Sequence, residues 1–349
     1  MKSPTFHALA SRALCTLGAL FLAAAANAQI AAVQGGASRS EQGIDPVAVL
    51  SSWPTRPLRI VVGFAAGSSP DLVARTLAEP LRRAIGQPVI VENHPGASGN
   101  IAAAIVARST DEHTIGMLIN GNMTIAKVLN PATPYDPQKD LAPISLICTA
   151  PLLLAAPADA PGADPQALLA AARTAGDAWS YGTPGVGTIG HLGMELLKAQ
   201  SGITPVHVPY LGNPQVIAGL AGGQIQLALL PPGLADVQIR AGRLRAVGVT
   251  SATRSPLVPS YPALSEVGIA GFQLEIWTAA AAPATMPAPI VARLSQVIGE
   301  IVRSTEVRQK LFAQGYQAVG SSSEVLAERV REDTAALSGI IKRQGLKLD

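Results

Sequence analysis

From residue 53 onward the chain alternates between two hydrophobic rhythms. Short continuous apolar runs are each followed by stretches with helical spacing, the pattern of strands feeding helices. Residues 58–64 form the first run and end in a turn over residues 65–69. Ser69 then suits a helix N-cap, Pro70 the first helical position and Asp71 the positive end of the dipole. Leu72, Leu77, Leu81 and Ile85 give this helix its apolar face, and Pro80 is expected to kink or split it. Strands at 88–91 and 115–119, with a helix at 101–107, continue the alternation.

After a Pro-rich interval at 151–165 the pattern repeats: helix 166–173, strand 179–182, helix 189–198, then strands 206–208, 225–230 and 244–249. Residues 274–282 read as a strand returning to the first sheet. Helices at 290–303, 306–314 and 324–343 follow, and Ser321 to Glu324 has the spacing of a capping box. The predicted fold class is α/β, with parallel sheets covered on both faces and one α/β unit inserted into another. Residues 53–152 and 273–349 would build the first lobe and 153–272 the second. Two lobes joined by two or more crossings place a ligand between them, beyond the carboxyl ends of the strands.

The first 52 residues break this pattern. Lys2 and Arg12 flank a short basic region, and the apolar run at 13–26 is too short to span a bilayer, which takes about 20 residues. It ends in Ala26-Asn27-Ala28, a cleavage pattern, so residues 1–28 are read as a signal peptide and 29–52 as a flexible leader. Export leaves Cys148 as the lone cysteine, so no internal disulfide supports the fold. Its setting, Ile144 to Cys148, reads as a buried strand and speaks against a catalytic thiol. No later stretch resembles a membrane span.

Composition narrows the ligand. The 349 residues are 48% hydrophobic, 14% charged and 4% aromatic, which excludes wholesale disorder and a stacking platform for single-stranded nucleic acid. Cleavage after residue 28 would leave 24 basic against 23 acidic residues, a net +1 with no basic block for phosphates. The ligand is expected to be small, without nucleic acid as partner.

Few residues offer chemistry. His94, His113, His191 and His207 have no metal-helix spacing, and His191 with Glu195 is a lone i,i+4 pair. Gly96 to Asn100 approaches a nucleophile elbow but fails at its last position. Gly185 to Gly190 does match G-x-G-x-x-G between a strand and a helix. The next strand lacks the acid that would hold a ribose, so a dinucleotide is the weaker reading. Bare N–H groups at a helix start attract a carboxylate as readily, and a tight turn without ligand is the third reading.

Several motifs, in order along the chain, resemble the Bug (TctC-type) extracytoplasmic solute receptors. They are Trp53 to Pro57, Phe64 to Asp71, Val91 to Asn100, Tyr135 to Pro137 with Lys139 to Pro143, His207 to Tyr210, and Ala241 to Ala246. The resemblance implies a two-lobed periplasmic binding protein, type II-like, that works as a monomer without cofactor, metal or catalysis. It would deliver a small carboxylate to the inner-membrane subunits of a tripartite tricarboxylate transporter. Carried over by position, the ligand loops are Phe64, Gly67, Ser68 and Ser69, then Asn120 and Asn122, in the first lobe. In the second they are Thr183, Gly187, Thr188 and Tyr210. Each lobe would offer N–H groups and hydroxyls to the anion.

This chain departs from the family pattern at Gly63, usually proline, and at Ser68, usually glycine. Relatives commonly carry acids where it has Gln226 and Leu230, and a Lys at Leu211. If either acid position faced the cleft, the ligand would be an acid without an amine; the other reading makes both plain strand residues. The alternative function class is an exported hydrolase acting on carboxylates or esters.

Overall fold

In the computed structural model, which describes residues 53–345, the apolar runs pair into two sheets. The signal peptide and leader read at residues 1–52 lie outside the described residues. The strands are β1 (Leu58–Val62), β2 (Val89–Asn93), β3 (Thr114–Ile119), β4 (Leu141–Pro151), β5 (Leu153–Pro157), β6 (Ser180–Thr183), β7 (Val206–Pro209), β8 (Leu227–Leu230), β9 (Leu244–Val249), β10 (Glu275–Pro283) and β11 (Gln317–Ala318). The helices are α1 (Ser69–Ile85), α2 (Asn100–Ala107), α3 (Asn120–Thr124), α4 (Ala126–Leu129), α5 (Pro165–Ala175), α6 (Ile189–Ser201), α7 (Asn213–Ala221), α8 (Pro232–Arg240), α9 (Ala288–Arg303), α10 (Thr305–Ala313) and α11 (Ser323–Gln344).

One sheet runs β11-β4-β10-β3-β1-β2 and the other β7-β6-β8-β5-β9. Both are mixed, where the sequence predicts parallel sheets. Strands β2, β1 and β3 are parallel, as are β7, β6 and β8, but β10 is antiparallel to β3 and β4, and β5 to β8 and β9. The cause is topological. Helical crossovers keep successive strands parallel, whereas β4, β5 and β10 carry the chain directly between lobes as extended segments. A second correction concerns the Pro-rich interval, which contains β5, buried along its whole length between Pro151 and Pro157.

Alternation along the strands builds a core on each side of each sheet. Leu58, Ile60 and Val62 of β1 pack with Leu77 and Leu81 of α1 and Ile290, Leu294 and Ile298 of α9, while Val61 faces α2 on the other side. In the second sheet Leu154 and Leu229 join α5 and α6, and Leu153 and Leu230 join Val216 and Leu220 of α7. Cys148 is fully buried on β4 beside β10, as its strand context predicts, and burial raises its thiol pKa far above the usual range.

Helix α1 runs unbroken across Pro80, against expectation. Pro80 is buried on the core-facing side, so packing offsets the hydrogen bond its ring removes. The cap also moves: Ser68 occupies the N-cap and Ser69 is the first helical residue, with no side-chain cap bond from Ser68. At α11 Ser322 caps, accepting from the Val325 N–H, rather than Ser321.

The lobes are joined at Leu152 and through residues 250–274. Fully buried Thr250 ties these crossings together: its Oγ1 accepts the Leu152 N–H at 2.7 Å and donates to the Leu274 carbonyl at 2.7 Å. Helix α11 spans both, placing Leu326 and Val330 in a core of the first sheet and Leu337 and Ile341 in one of the second. No helix among the described residues is long and apolar enough to cross a membrane.

Candidate functional site

The carboxyl ends of the parallel strands in both lobes face a common cavity of about 50 Å³. The β1–α1 turn supplies Phe64 and Ser68, α1 begins with Ser69, and Asn120 opens α3 just after β3. From the other lobe come Ile189 and Gly190 of α6, Asn213 of α7 and Pro231 before α8, with Trp277 of β10 closing the wall. By this measure a water needs about 10–15 Å³, so the space fits a few small groups. A wider groove of about 710 Å³, lined by Gly63, Ser98, Gly185, Tyr210 and Leu211, opens on solvent beside it.

Not one side chain lining the cavity is ionisable. Any attraction for an anion there must come from backbone. Helices α1, α6 and α7 all begin there, and the first N–H groups of a helix have no intrahelical partner. Two buried polar atoms in the same wall are also unpartnered: Ser68 Oγ and Asn120 Oδ1. The Asn120 amide donates to the Glu275 carbonyl at 3.1 Å, at the start of β10. Across the cleft, Asn213 Nδ2 donates to Ser69 Oγ at 3.2 Å, a direct bond between lobes.

Of the residues predicted from sequence, Phe64, Ser68, Ser69 and Asn120 line this cavity. The others sit around it. Gly67 donates its N–H to Asp71 Oδ2 at 2.8 Å. Asn122 is committed to the Ser98 carbonyl and Asn100 Oδ1, at 2.9 and 2.8 Å. Thr183 is 1% exposed and bonds His207 Nε2 and the Gly185 N–H. Gly187 donates to His191 Nδ1, and Thr188 caps α6. Tyr210 lies in the outer groove and packs over Gly182 and Gly219. Sequence reasoning stopped at Tyr210 and missed Asn213, although Asn213-Pro214 is a helix-start signal.

The positions held open for an amine fall elsewhere. Leu230 is fully buried in the α7-side core, and Gln226 is spent on the Ser180 N–H and the Gly223 carbonyl. Leu211 is 59% exposed in the outer groove. Gln226 is tied up in the bend before β8 and Leu230 is a core residue, so neither argues that the ligand lacks an amine.

Asp71 anchors the first-lobe turn. Its buried carboxylate accepts from the Gly67 N–H, Asn93 Nδ2 and Arg75 Nε. Burial pushes its pKa up, but the bonds from Arg75, Gly67 and Asn93 outweigh burial and hold it below the ordinary value of 3.8. The sign follows: its stabilisation is complete above about pH 4 and is lost as pH falls through the lowered value. Asp71→Ala is expected to cost about 1–3 kcal/mol of stability at neutral pH and to remove that acid-dependent part of the loss, as measured by denaturant titration at pH 7 and pH 3.5. Equal stability of the two proteins at pH 7 would contradict this.

Residues 73–346 match the model of the tripartite tricarboxylate transporter family receptors. The chain belongs to this family. It is 34% identical over 288 residues to a UPF0065 protein from the tcbD-tcbE intergenic region of Pseudomonas sp. strain P51, covering 82% of this chain and 85% of that one. It superposes on MatC from Rhodopseudomonas palustris, solved with bound malate, with a TM-score of 0.78 and 30% identity over 83% of this chain and 100% of that one. An R. palustris protein solved with adipate gives 0.80 and 30%, over 84% and 99%. The protein therefore has the two-lobed fold of periplasmic binding proteins and is a solute-binding receptor, not an enzyme. Family members of this kind bind small carboxylates and work with transporters. Among the described residues no group of three or more His, Cys, Asp or Glu is placed to hold a metal ion.

Proposed function

We propose that this receptor holds a small carboxylate in the cavity between its lobes, in the periplasm, and hands it as a monomer to the membrane subunits of a tripartite tricarboxylate transporter. One observation carries the reading: helices α1, α6 and α7 begin at one cavity whose lining has no ionisable side chain. Helix N-termini favour an anion, and a carboxylate can accept several N–H and O–H bonds at once. Ser68 Oγ, buried and unpartnered, is a further donor for it. The malate and adipate held by the two solved relatives are acids of this kind.

Refolded protein, freed of any carried ligand, should melt higher with a subset of mono-, di- and tricarboxylates and not with their neutral amides. A ligand at 100 times its Kd stabilises the native state by about 2.7 kcal/mol, a readily measured shift. Amides as effective as acids would overturn the anion reading. Turnover of a carboxylic ester would revive the hydrolase.

A further inference from the structure

The two lobes hold their ligand turns by the same device with different chemistry. In each, a glycine with positive φ precedes a Ser or Thr N-cap, and its N–H is taken by a side chain four residues on. In the first lobe Gly67 donates to the Asp71 carboxylate. In the second, Gly187 donates to the His191 imidazole, N to Nδ1 3.3 Å. A carboxylate accepts over nearly all pH, but an imidazole accepts at Nδ1 only when neutral and protonated at Nε2.

A second histidine backs the first. The His207 ring lies with its centroid 4.5 Å from that of His191 and 4.9 Å from that of Tyr181, on which it stacks. His207 Nε2 is 2.6 Å from Thr183 Oγ1, which accepts the Gly185 N–H at 3.2 Å. The pair therefore grips both ends of the turn, residues 183–188, from behind. The turn in turn carries both inter-lobe functions. Gly187 faces Gly121 of the other lobe, and Ile189 and Gly190, just beyond it, line the cavity.

We infer that His191 is a positioning residue for ligand capture: as a neutral acceptor, backed by His207, it holds the Gly187 turn in its binding geometry, and its protonation releases that turn. The inference rests on the receptor reading above. The charged groups facing the pair are Glu195 and Lys198 on the same helix, paired at 2.8 Å, with Tyr181 of β6 donating to Glu195 at 2.5 Å. Helix α11, which packs on α6, adds apolar Leu337 and Ile341 to this core, while its Arg329 and Asp333 pair with Glu275 and Trp277. Strand β8 adds Leu227 and Leu229. Burial, offset in part by Glu195, lowers the His191 pKa, and burial with the adjacent ring lowers that of His207 to about 4. Both rings therefore stay neutral in the folded protein at and below the ordinary histidine value of 6.5, and the grip is lost only as pH falls through the lowered values.

Imidazole and amide nitrogen NMR on the ligand-free protein tests the positioning directly. His191 should be the Nε2–H tautomer at pH 7.5, and the Gly187 amide should shift along the His191 titration. An Nδ1–H tautomer, or an indifferent Gly187 amide, overturns the proposal. Calorimetry with malate and adipate supplies the functional arm. His191→Asn, whose Oδ1 takes the place of Nδ1, should keep affinity within about twofold at pH 7.5, while His191→Leu should lose about three- to tenfold, the worth of one hydrogen bond. Wild type should then lose affinity more steeply than His191→Asn as pH falls through the His191 titration read by NMR; protonation of the acid itself is common to both and cancels. An Asn variant as weak as the Leu variant, or parallel pH profiles, also overturns it. If neither acid nor any other carboxylate binds, the receptor reading fails, and the NMR signals still decide what His191 holds.

Discussion

Gly121→Val should weaken carboxylate binding by between about tenfold and 100-fold while leaving the folded lobes as stable as before. A Cβ at Gly121 would lie 2.8 Å from the Gly187 carbonyl oxygen, and the next nearest atoms are also in the Gly187–Thr188 turn. All of these belong to the opposite lobe. No atom of its own lobe is among the three nearest to that Cβ, and leaving glycine inside a helix is not in itself costly. The clash is therefore relieved by opening the hinge, at the price of the closed form. Overpacking of this sort costs about 1–3 kcal/mol, and a penalty on the binding-competent state lowers apparent affinity by the matching factor, tenfold per 1.4 kcal/mol. Calorimetry with a stabilising acid reads the affinity, and small-angle scattering reads closure. Wild type should contract on binding; Gly121→Val should not. A variant that binds and contracts as wild type does would mean that capture does not need this contact.

How much of this was legible in the chain depends on the element. Strands β1, β3 and β9 are mostly apolar because most of their positions are buried, with Arg59 and Arg245 the half-buried interruptions, and they stand where the pattern puts them. Strand β5 is just as buried, yet its flanking prolines read as a linker. They sit at its ends, where a missing N–H does little harm. Helix α7 escaped notice because its nine residues give a short apolar face, although Gly212-Asn213-Pro214 marks its start.

The candidate site was legible by position and opaque by atom. Phe64, Ser68, Ser69 and Asn120 follow strands β1 and β3 and line the cavity beyond those carboxyl ends. That Gly67 and Gly187 spend their own N–H groups inside the turns was not legible. It follows from side chains at i+4, Asp71 and His191, whose orientation only the packed lobe fixes. The donors left for an anion are thus the next ones along, in the first helical turns. The same limit hid Asn213, since its partner Ser69 lies 144 residues away in sequence.

That residue gives the sharpest test of charge. Asn213→Asp should cut the affinity for any carboxylate by at least about 100-fold at pH 7.5, with little change in stability. Aspartate is nearly isosteric with asparagine, is favourable in the first turn of α7, and can accept from the Ser69 hydroxyl, so the inter-lobe bond survives with its donor reversed. What changes is one charge at a wall 6% exposed, in a cavity with no cation to answer it. Two unit charges 4 Å apart repel by about 4 kcal/mol at an effective dielectric constant of 20, and relaxation still leaves a loss on the order of 100-fold. The variant can escape only by taking up a proton, because a neighbouring anion raises the carboxyl pKa. Its affinity relative to wild type should therefore recover as pH falls from 7.5 to 5.5, by up to tenfold per unit. Asn213→Ala, which removes the bond and adds no charge, should show no such recovery. Calorimetry of the three proteins at both pH values separates the cases, and an Asp variant that binds the acid as tightly as wild type would place the anion somewhere other than at the starts of α1, α6 and α7.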